Sequence, residues 1–410
     1  MLIAVNLAFL AATVLFGAIP IALTWRFKKR LPELKVPEQP TARSYAPAAV
    51  ILPCKGLDPG FEDNVRAFLE QDHPDFELLF AVATEDDPAY DALGQILARA
   101  RARGSSVKSS LTVAGIHSGR AQKLTNQLAA LSQMSARTEV IVFVDSDSRP
   151  DRGFIRRLVT PLPEPTVGAT TGYRWYHPTD TQLGSVLRST WNAGALPLLV
   201  DVKRNFAWGG AMAIRRKIFE RADIASAWAN AVSDDFPFTV QVRRLGLELR
   251  FVPSCVAISY EASTLAETVE FTNRQSLISR VYFPPLWWSA ALGHSLANIF
   301  LLYGAGSLAA WLVTSESSYV LGAACLVLLP LQLVNAAWLF ESVRDLLPTL
   351  GARLSALRWA YILTAPVASL LSLTNTIWSL TTRRITWRGI TYELRSPTET
   401  VVISNAASEG

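Results

Sequence analysis

Four apolar stretches of this 410-residue chain are long enough to cross a lipid bilayer, and they limit the possible folds more than any other feature. A membrane-spanning helix needs about 20 mostly apolar residues. The first stretch covers residues 2–25, and the others lie near 286–313, 318–340 and 359–380. Residues 41–280 carry charges throughout, as an ordinary globular domain does. The sequence therefore predicts a multi-pass integral membrane protein with a globular domain between an N-terminal anchor and a C-terminal membrane region.

A basic cluster directly after the first stretch indicates the orientation of the chain. Arg26, Lys28, Lys29 and Arg30 follow that stretch, and no lysine or arginine precedes it. A cleaved signal peptide would carry its positive charge in front of the apolar segment and a small-residue cleavage site behind it. We therefore expect a retained anchor. The positive-inside rule then places the globular domain in the cytoplasm, at a bacterial inner membrane.

These patterns also divide the chain into segments. We predict an N-terminal transmembrane anchor over residues 1–26, a linker over 27–47, the globular domain over 48–282, interfacial and transmembrane helices over 283–382, and a C-terminal tail over 383–410.

The side of the membrane on which the tail lies is left open by the sequence. Three C-terminal crossings would place Arg383, Arg384 and Arg388 outside, whereas the positive-inside rule favours the cytoplasm. Either one stretch, with 286–313 favoured, is re-entrant or interfacial, or the tail is external. We expect a cytoplasmic tail, in which residues 387–389 lie either against the globular domain or towards lipid headgroups.

Composition excludes several classes of function. The three cysteines, Cys54, Cys255 and Cys325, are scattered without the spacing of a metal site, which suits a reducing compartment. The net charge is only +5, and basic residues are concentrated beside the apolar stretches. We therefore expect the bilayer and its anionic headgroups as partners, and no nucleic acid.

Within the globular region, short apolar runs alternate with segments of helical spacing. The runs predict strands at 49–52, 76–83, 111–116 and 140–144. Alternating strands and helices are typical of an α/β domain with parallel strands and right-handed crossovers. In such sheets ligands bind beyond the carboxyl ends of the strands.

Charged side chains follow several of these predicted strands. Taken singly, each fits a turn or a helix cap, and Asp-Ser-Asp is a common turn composition. Taken together, they suit a nucleoside diphosphate-sugar. A divalent ion held by carboxylates neutralises a diphosphate, and a further carboxylate can remove a proton from an acceptor hydroxyl. Asp145 and Asp147 fit the first task, and Asp235 fits the second.

Five stretches, taken in order, resemble successive motifs of ceramide glucosyltransferase and its bacterial relatives. They are KGLDPGFEDNVRAFLEQDHPDFELLFAVATEDDPAY (55–90), GRAQKLTNQL (119–128), VFVDSDSRP (142–150), WGGAMAIRRKIF (208–219) and VSDDFPFTVQVRRLG (232–246). The resemblance implies a membrane-bound, inverting glycosyltransferase. Its fold would be an α/β GT-A nucleotide-sugar-binding domain with an N-terminal transmembrane anchor and C-terminal transmembrane helices.

The same resemblance implies roles for individual residues. The nucleotide-sugar would be bound by one carboxylate of the Glu-Asp-Asp step, by two lysines and by the first aspartate of Asp-Ser-Asp, that is, by Asp87 or Asp86, Lys55, Lys123 and Asp145. Asp145 and Asp147 would hold Mg²⁺ or Mn²⁺. Asp235 would be the catalytic base, and Asp234 beside it would contact the acceptor or the diphosphate.

One motif of that family is altered here. The family's Gln/Arg-x-x-Arg-Trp motif corresponds to NRQSLISRVYF (273–283), which has no Arg-Trp pair. Arg274, Gln275 and Arg280 have suitable chemistry for the diphosphate or the acceptor, although the two arginines would equally suit lipid headgroups.

The Trp-Gly-Gly step also has two interpretations. Trp208 can stack on a sugar or pack in the core, and Gly209 allows a ligand to approach the backbone closely.

From these observations we expect transfer of a hexose from a nucleoside diphosphate-sugar, with UDP favoured, to a lipid hydroxyl. Ceramide-, diacylglycerol- and hopanoid-type lipids are all open as acceptors. The alternatives are a processive polysaccharide synthase and a non-catalytic membrane scaffold that retains the fold.

Overall fold

The structure is a computed structural model that describes residues 2–36 and 46–405. The chain divides into two compact units. The α/β unit contains Glu33–His177, Leu199–Glu261 and Arg383–Gly410, and the helical unit contains Met1–Pro32, Pro178–Leu198 and Ala262–Thr382. Of the predicted linker, residues 37–45 lie outside the described residues, as do residues 406–410 of the predicted tail.

A seven-stranded sheet forms the centre of the α/β unit in the described part of the chain. Its strands are β1 (Ala48–Pro53), β2 (Phe76–Val82), β3 (Lys108–Val113), β4 (Val140–Val144), β5 (Val167–Pro178), β6 (Ala211–Arg215) and β7 (Glu248–Glu261). The order is β3-β2-β1-β4-β6-β5-β7. The first four strands in this order are parallel, whereas β6 runs antiparallel to both β4 and β5. The predicted α/β class is confirmed.

Helices, numbered along the whole chain, connect these strands. In the α/β unit they are α2 (Phe61–Leu69), α3 (Pro88–Ala102), α4 (Gln122–Leu131), α5 (Phe154–Val159), α7 (Arg216–Arg221), α8 (Ile224–Trp228) and α9 (Asp235–Arg244). Every residue of β4 is buried, as a strand covered on both faces must be. The site described below lies at the carboxyl end of this strand.

The segment 384–405, predicted only as part of a tail, folds into an antiparallel three-stranded sheet. Its strands are β8 (Arg384–Trp387), β9 (Ile390–Ser396) and β10 (Glu399–Asn405). Arg388 and Gly389 form the two-residue turn between β8 and β9, and both have positive φ angles, of 49° and 78°. Two positive φ angles are typical of the tight turns that suit the twist of a hairpin.

This small sheet is held to the rest of the α/β unit by hydrogen bonds. The backbone N–H of Gln122 donates to the Tyr392 hydroxyl at 3.2 Å, and the N–H of Val402 donates to the Ser118 carbonyl at 2.9 Å.

The helical unit carries the apolar stretches. Its helices are α1 (Leu2–Arg30), α6 (Leu183–Ala193), α10 (Leu265–Tyr282), α11 (Pro284–Thr314), α12 (Ser318–Ala323), α13 (Leu328–Leu346), α14 (Gly351–Ala356) and α15 (Arg358–Thr381). A 3₁₀ turn over Ala324–Val327 joins α12 to α13. Within the described ranges, four segments are long and apolar enough to cross a membrane: Leu2–Leu34, Pro284–Thr314, Ser318–Leu346 and Arg358–Thr381. These four segments fit the prediction of an integral membrane protein.

Candidate active site

A largely buried lysine joins two acidic motifs at the carboxyl end of β4. The Nζ atom of Lys123, in the first turn of α4, lies 2.8 Å from Asp145 Oδ1 and 2.9 Å from Asp234 Oδ2. Asp145 follows β4, and Asp234 directly precedes α9. Three motifs that are far apart in sequence therefore meet at one place, where ligands of such sheets are expected.

Lys123, Asp145 and Asp234, here called the Lys123 cluster, carry their charges in a poorly solvated place. Only 15% of the Lys123 side chain and 7% of the Asp234 side chain are exposed. Burial alone would lower the pKa of Lys123, but Asp145 and Asp234 raise it above its ordinary value. Burial likewise opposes ionisation of Asp145, and Lys123 holds the pKa of that carboxyl below its ordinary value. Gln127 Nε2 donates a further hydrogen bond, of 3.0 Å, to Asp234 Oδ2.

Asp147 lies next to this cluster and has a different environment. Arg174, on β5, donates to Asp147 Oδ2 at 2.9 Å and to Glu261 Oε1 at 2.7 Å. Burial raises the pKa of Asp147, although Arg174 opposes the effect. Asp147 Oδ1 is buried and has no hydrogen-bond partner among the residues that the structure describes. Since a buried polar atom without a partner is costly, this oxygen is suited to a ligand that accepts its lone pair.

A hard divalent cation fits that requirement. Carboxylate oxygens are its preferred donors, and Mg²⁺ is commonly held by one or two carboxylates together with substrate phosphates. Asp147 with Asp145 would provide such a pair. In residues 2–36 and 46–405, no group of three or more His, Cys, Asp or Glu side chains is arranged to hold a metal alone. The phosphate oxygens of a substrate would therefore complete the coordination.

Asp235 begins α9, and its carboxylate is not paired with Lys123. Its Oδ1 atom accepts hydrogen bonds from the Ser233 hydroxyl and, at 2.8 Å, from the backbone N–H of Phe236. Burial and then the charge of Asp234 raise the pKa of Asp235 to about 6. A carboxylate with such a pKa is a stronger base than an ordinary one and is still ionised at neutral pH.

Two glycines allow the backbone to pass close to these carboxylates. A Cβ atom on Gly209 would overlap the Asp234 carboxylate, and one on Gly210 would overlap Asp145 Oδ2 and the Trp208 ring. Trp208 is half-buried, packs against the core and donates its backbone N–H to Thr171 Oγ1 at 2.9 Å. The structure thus gives Trp208 a packing role and leaves part of its ring accessible.

The predicted nucleotide-binding residues near β1 and β2 have separate positions. Asp87 caps α3, and its Oδ1 accepts from the N–H groups of Ala89 at 2.9 Å and Gly56 at 2.8 Å. It therefore holds the loop that carries Lys55, whereas Asp86 is exposed. Burial lowers the pKa of Lys55, whose Nζ donates to the carbonyl of Arg388 at 2.7 Å.

Arg388 is part of this region, although the sequence did not identify it as a site residue. Its Nη2 atom lies 2.7 Å from Asp58 Oδ1 and 3.7 Å from Asp147 Oδ2, and its Nη1 atom donates to the Lys55 carbonyl at 2.6 Å. The Ser146 hydroxyl donates to the other oxygen of Asp58 at 2.8 Å. The turn between β8 and β9 therefore brings one cation to the loops after β1 and β4.

Arg174 was also missed by sequence reasoning. A lone arginine within an otherwise uncharged and completely buried strand, such as β5, is the feature that could have revealed it. Buried charges are rarely kept without a partner.

The three remaining predicted residues belong to the helical unit, on α10. The guanidinium of Arg274 lies 5.4 Å from the centre of the Phe271 ring, and Arg280 donates to the Thr382 carbonyl at 3.2 Å. The backbone carbonyl of Gln275 accepts a hydrogen bond from the Ser279 hydroxyl at 2.8 Å. Contacts of these three side chains with a donor or an acceptor stay a prediction.

The chain is similar to a known protein family and to proteins of known structure. The family model described as glycosyl transferase family 21 matches residues 7–400. A similar solved structure is a mannosyltransferase from Pyrobaculum calidifontis in complex with GDP-mannose and Mn²⁺. It shares 18% identity over 93% of this chain and 98% of its own, with a TM-score of 0.48. Another is glucosyl-3-phosphoglycerate synthase from Mycobacterium tuberculosis in complex with Mn²⁺ and UDP-glucose. It shares 17% identity over 60% of this chain and 83% of its own, with a TM-score of 0.39.

Proposed function

The chain belongs to glycosyl transferase family 21, and we propose that it transfers a hexose from a nucleoside diphosphate-sugar to a hydroxyl group of a membrane lipid, with inversion. Membership of the family confirms the predicted enzyme class, a glycosyltransferase. A UDP-sugar as donor, a ceramide-, diacylglycerol- or hopanoid-type acceptor and the inverting course are the proposal.

The observation that carries the proposal is the convergence of Lys123, Asp145 and Asp234, with Asp147 alongside. This arrangement suits a diphosphate because it combines a buried cation with carboxylates that can share a divalent ion. Lys55, on the loop after β1, and Arg388, in the turn between β8 and β9, add two further cations. We assign the donor diphosphate to the space between these groups.

A divalent cation bound by Asp145 and Asp147 would neutralise the diphosphate and the charge that develops on it as it leaves. Lys123 holds Asp145 in place for this role, and Arg174 holds Asp147. Gly209 and Gly210 keep the facing backbone free of side chains that would overlap the two acidic motifs.

Asp235 is the group that we assign as general base. In a single displacement, the acceptor oxygen attacks the anomeric carbon from the face opposite the diphosphate, which produces inversion. Asp235 would take the proton from that oxygen as the new bond forms. Asp234 is less suited to this task because Lys123 and Gln127 already engage its carboxylate.

A lipid acceptor is supported by the four helices that are long and apolar enough to cross a membrane. The basic cluster at the end of α1 supports a cytoplasmic α/β unit, since positive residues are retained on that side. Water-soluble nucleotide-sugars would then be available on the same side as the site.

The experiment that tests the function uses the purified full-length protein in vesicles containing bacterial lipid extract. Radiolabelled UDP-glucose, UDP-galactose and UDP-N-acetylglucosamine are supplied one at a time, and lipids are extracted and separated. We expect label in one lipid band, lost on addition of EDTA and restored by Mg²⁺ or Mn²⁺. Label in an insoluble polymer would support the synthase instead. Sugar-nucleotide binding without transfer to any lipid would contradict the proposal.

Arg388 provides a prediction specific to this chain. We expect Arg388→Ala to raise the KM for the donor by about 10–100-fold, because hydrogen bonds to charged groups each contribute about 1.5–3 kcal/mol. The loop from Lys55 to Asp58 would lose its link to Asp147. The matched control is Arg395→Ala in the same small sheet, where Arg395 forms ion pairs with Glu393 and Glu399 of that sheet. Steady-state kinetics at varied donor concentration measures both, and an unchanged KM in Arg388→Ala would exclude this role.

A further inference from the structure

Helix α15 has an apolar side that faces away from the other helices of its unit. Its exposed apolar side chains recur at intervals of three, four or seven residues and form one stripe: Trp359, Leu363, Val367, Leu370, Ile377 and Leu380. Its buried side includes polar residues such as Ser369, Asn375 and Ser379. Such a stripe suits contact with lipid whether a helix crosses the membrane or lies in its interface, so the positions of the two helix ends decide between these arrangements.

The buried side of α15 is covered by other helices of the same unit, among them α6 and α10. Thr190 on α6 and Thr364 share a hydrogen bond of 2.9 Å, and Thr272 on α10 donates to Asn375 at 3.2 Å. Leu187 on α6 packs with Ala368 and Leu371. With 11 residues, α6 is too short to cross a bilayer. The exposed stripe is thus the side of α15 that is available to lipid.

Both ends of α15 lie at the same end of the hairpin formed by α11 and α12–α13. These two segments reverse direction between Thr314 and Ser318. At the open end of the hairpin, Trp287 near the start of α11 donates to Ser379 near the end of α15, at 3.1 Å. Tyr361, near the start of α15, has its ring 5.6 Å from that of Phe340 near the end of α13. Helix α15 therefore returns to the level at which it began.

Contacts with α1 identify which membrane face this is. Asn6 donates to the Ser318 carbonyl at 2.6 Å, and Thr24 donates to Asn335 at 2.8 Å, so α1 runs parallel to α12–α13. The end of α13 therefore lies on the face of the basic cluster at the end of α1.

The path of the chain indicates independently that both ends of α15 lie on the same side of the membrane. The strand β7 precedes α10, and β8–β9 follow α15, yet all of them belong to the α/β unit. The contacts of Arg388 with Asp58 and of Tyr392 with Gln122 join the two parts. The chain must therefore cross the membrane an even number of times between Glu261 and Arg383. Helix α11 and the segment α12–α13 supply two crossings, and a third would place β8 on the wrong side.

We propose that α15 does not cross the membrane but lies in its interface, with the stripe from Trp359 to Leu380 inserted among the lipids of the leaflet on the side of the α/β unit. The in-plane position thus falls to α15 rather than to residues 286–313. Arg353, Arg358, Arg383 and Arg384 flank the helix and suit anionic headgroups at both of its ends. This inference concerns membrane topology and does not depend on the proposed reaction.

The test is labelling of single introduced cysteines in the full-length protein with a membrane-impermeant maleimide, in intact cells and in inverted vesicles. Ser355→Cys lies before α15 and is decisive. Leu57→Cys and Thr386→Cys report the side of the α/β unit, and Ser317→Cys reports the opposite side; all four positions are exposed or nearly so. The native Cys54, Cys255 and Cys325 are buried, and the unsubstituted protein measures their background.

We expect Ser355→Cys to be labelled together with Leu57→Cys and Thr386→Cys, and not from the side that labels Ser317→Cys. Labelling of Ser355→Cys from the side of Ser317→Cys would overturn the proposal.

A second measurement keeps the test decisive if a cysteine variant is poorly folded. Spin labels at positions 363, 370 and 377 of α15 should all lie in the leaflet on the side of the α/β unit, with position 370 the deepest because the neighbouring Ser369 hydroxyl lies 3.1 Å from His294 Nδ1 on α11. Labels at 292, 299 and 302 of α11 should instead pass steadily towards the bilayer centre. A depth profile in α15 like that of α11 would also overturn the proposal.

Discussion

Replacement of Asp235 by Asn is expected to lower kcat by about 10²–10⁴-fold, the range that general acid–base catalysis contributes. The amide keeps the size of the side chain and can still accept from the Phe236 N–H, so the start of α9 should be preserved. It cannot take a proton from the acceptor. Binding of the nucleotide-sugar should change little, since Asp235 is not part of the Lys123 cluster.

The pH dependence provides a second readout for the same residue. A base acts only when it is unprotonated, and the pKa of Asp235 is raised to about 6. The kcat of the unsubstituted enzyme should therefore be level above that pH and should fall as the pH drops below it. The residual activity of Asp235→Asn should lack this fall.

A control variant and a binding measurement distinguish loss of the base from other effects of the substitution. Asp91→Asn, at an exposed position in α3, should leave both kcat and the pH profile unchanged. Donor affinity is measured by titration of the purified protein with the nucleotide-sugar. An Asp235→Asn enzyme that transfers sugar at the original rate would exclude Asp235 as the base.

Replacement of Lys123 by Met should have the largest effect on stability. The substitution removes the cation between Asp145 and Asp234 and leaves two poorly solvated carboxylates facing each other. Loss of one partner from a buried ion pair costs about 3–5 kcal/mol. A change of 1 kcal/mol shifts the melting temperature of a domain of 150–250 residues by roughly 2–4 °C, so we expect a decrease of roughly 6–20 °C. Donor binding should be lost as well.

The ion pairs of Lys123 also define a control variant and a second substitution that should restore part of the stability. Lys108→Met removes an exposed lysine at the start of β3 and should leave the melting temperature unchanged. Adding Asp234→Asn to Lys123→Met removes one of the two opposed charges and should recover part of the stability, but not the activity. Melting of the detergent-solubilised full-length protein measures all four forms. A single variant Lys123→Met that melts like the original protein would show that the ion pairs contribute little.

Local patterns in the sequence were sufficient for much of the fold. The uninterrupted apolar run at 140–144 predicts a strand covered on both faces, and β4 is such a strand. The edge strand β3 was less predictable. The predicted run 111–116 became Lys108–Val113, because a half-exposed strand mixes polar and apolar residues and its ends are not marked by hydropathy. The antiparallel direction of β6 has no counterpart in a local pattern, since strand direction depends on the path of the chain.

The candidate site, like the fold, was only partly predictable from the sequence. The sequence by itself determined that Asp145 and Asp147 follow a buried strand and that Lys123 begins a helix. That Lys123 joins Asp145 to Asp234, or that Arg388 reaches Asp58 from more than 300 residues away, was decided only by the tertiary structure. Hydropathy likewise identified α15 as apolar, because composition is a local property. Whether such a helix crosses a membrane depends on where its two ends are held, and in α15 the contacts with Trp287 and Phe340 hold them.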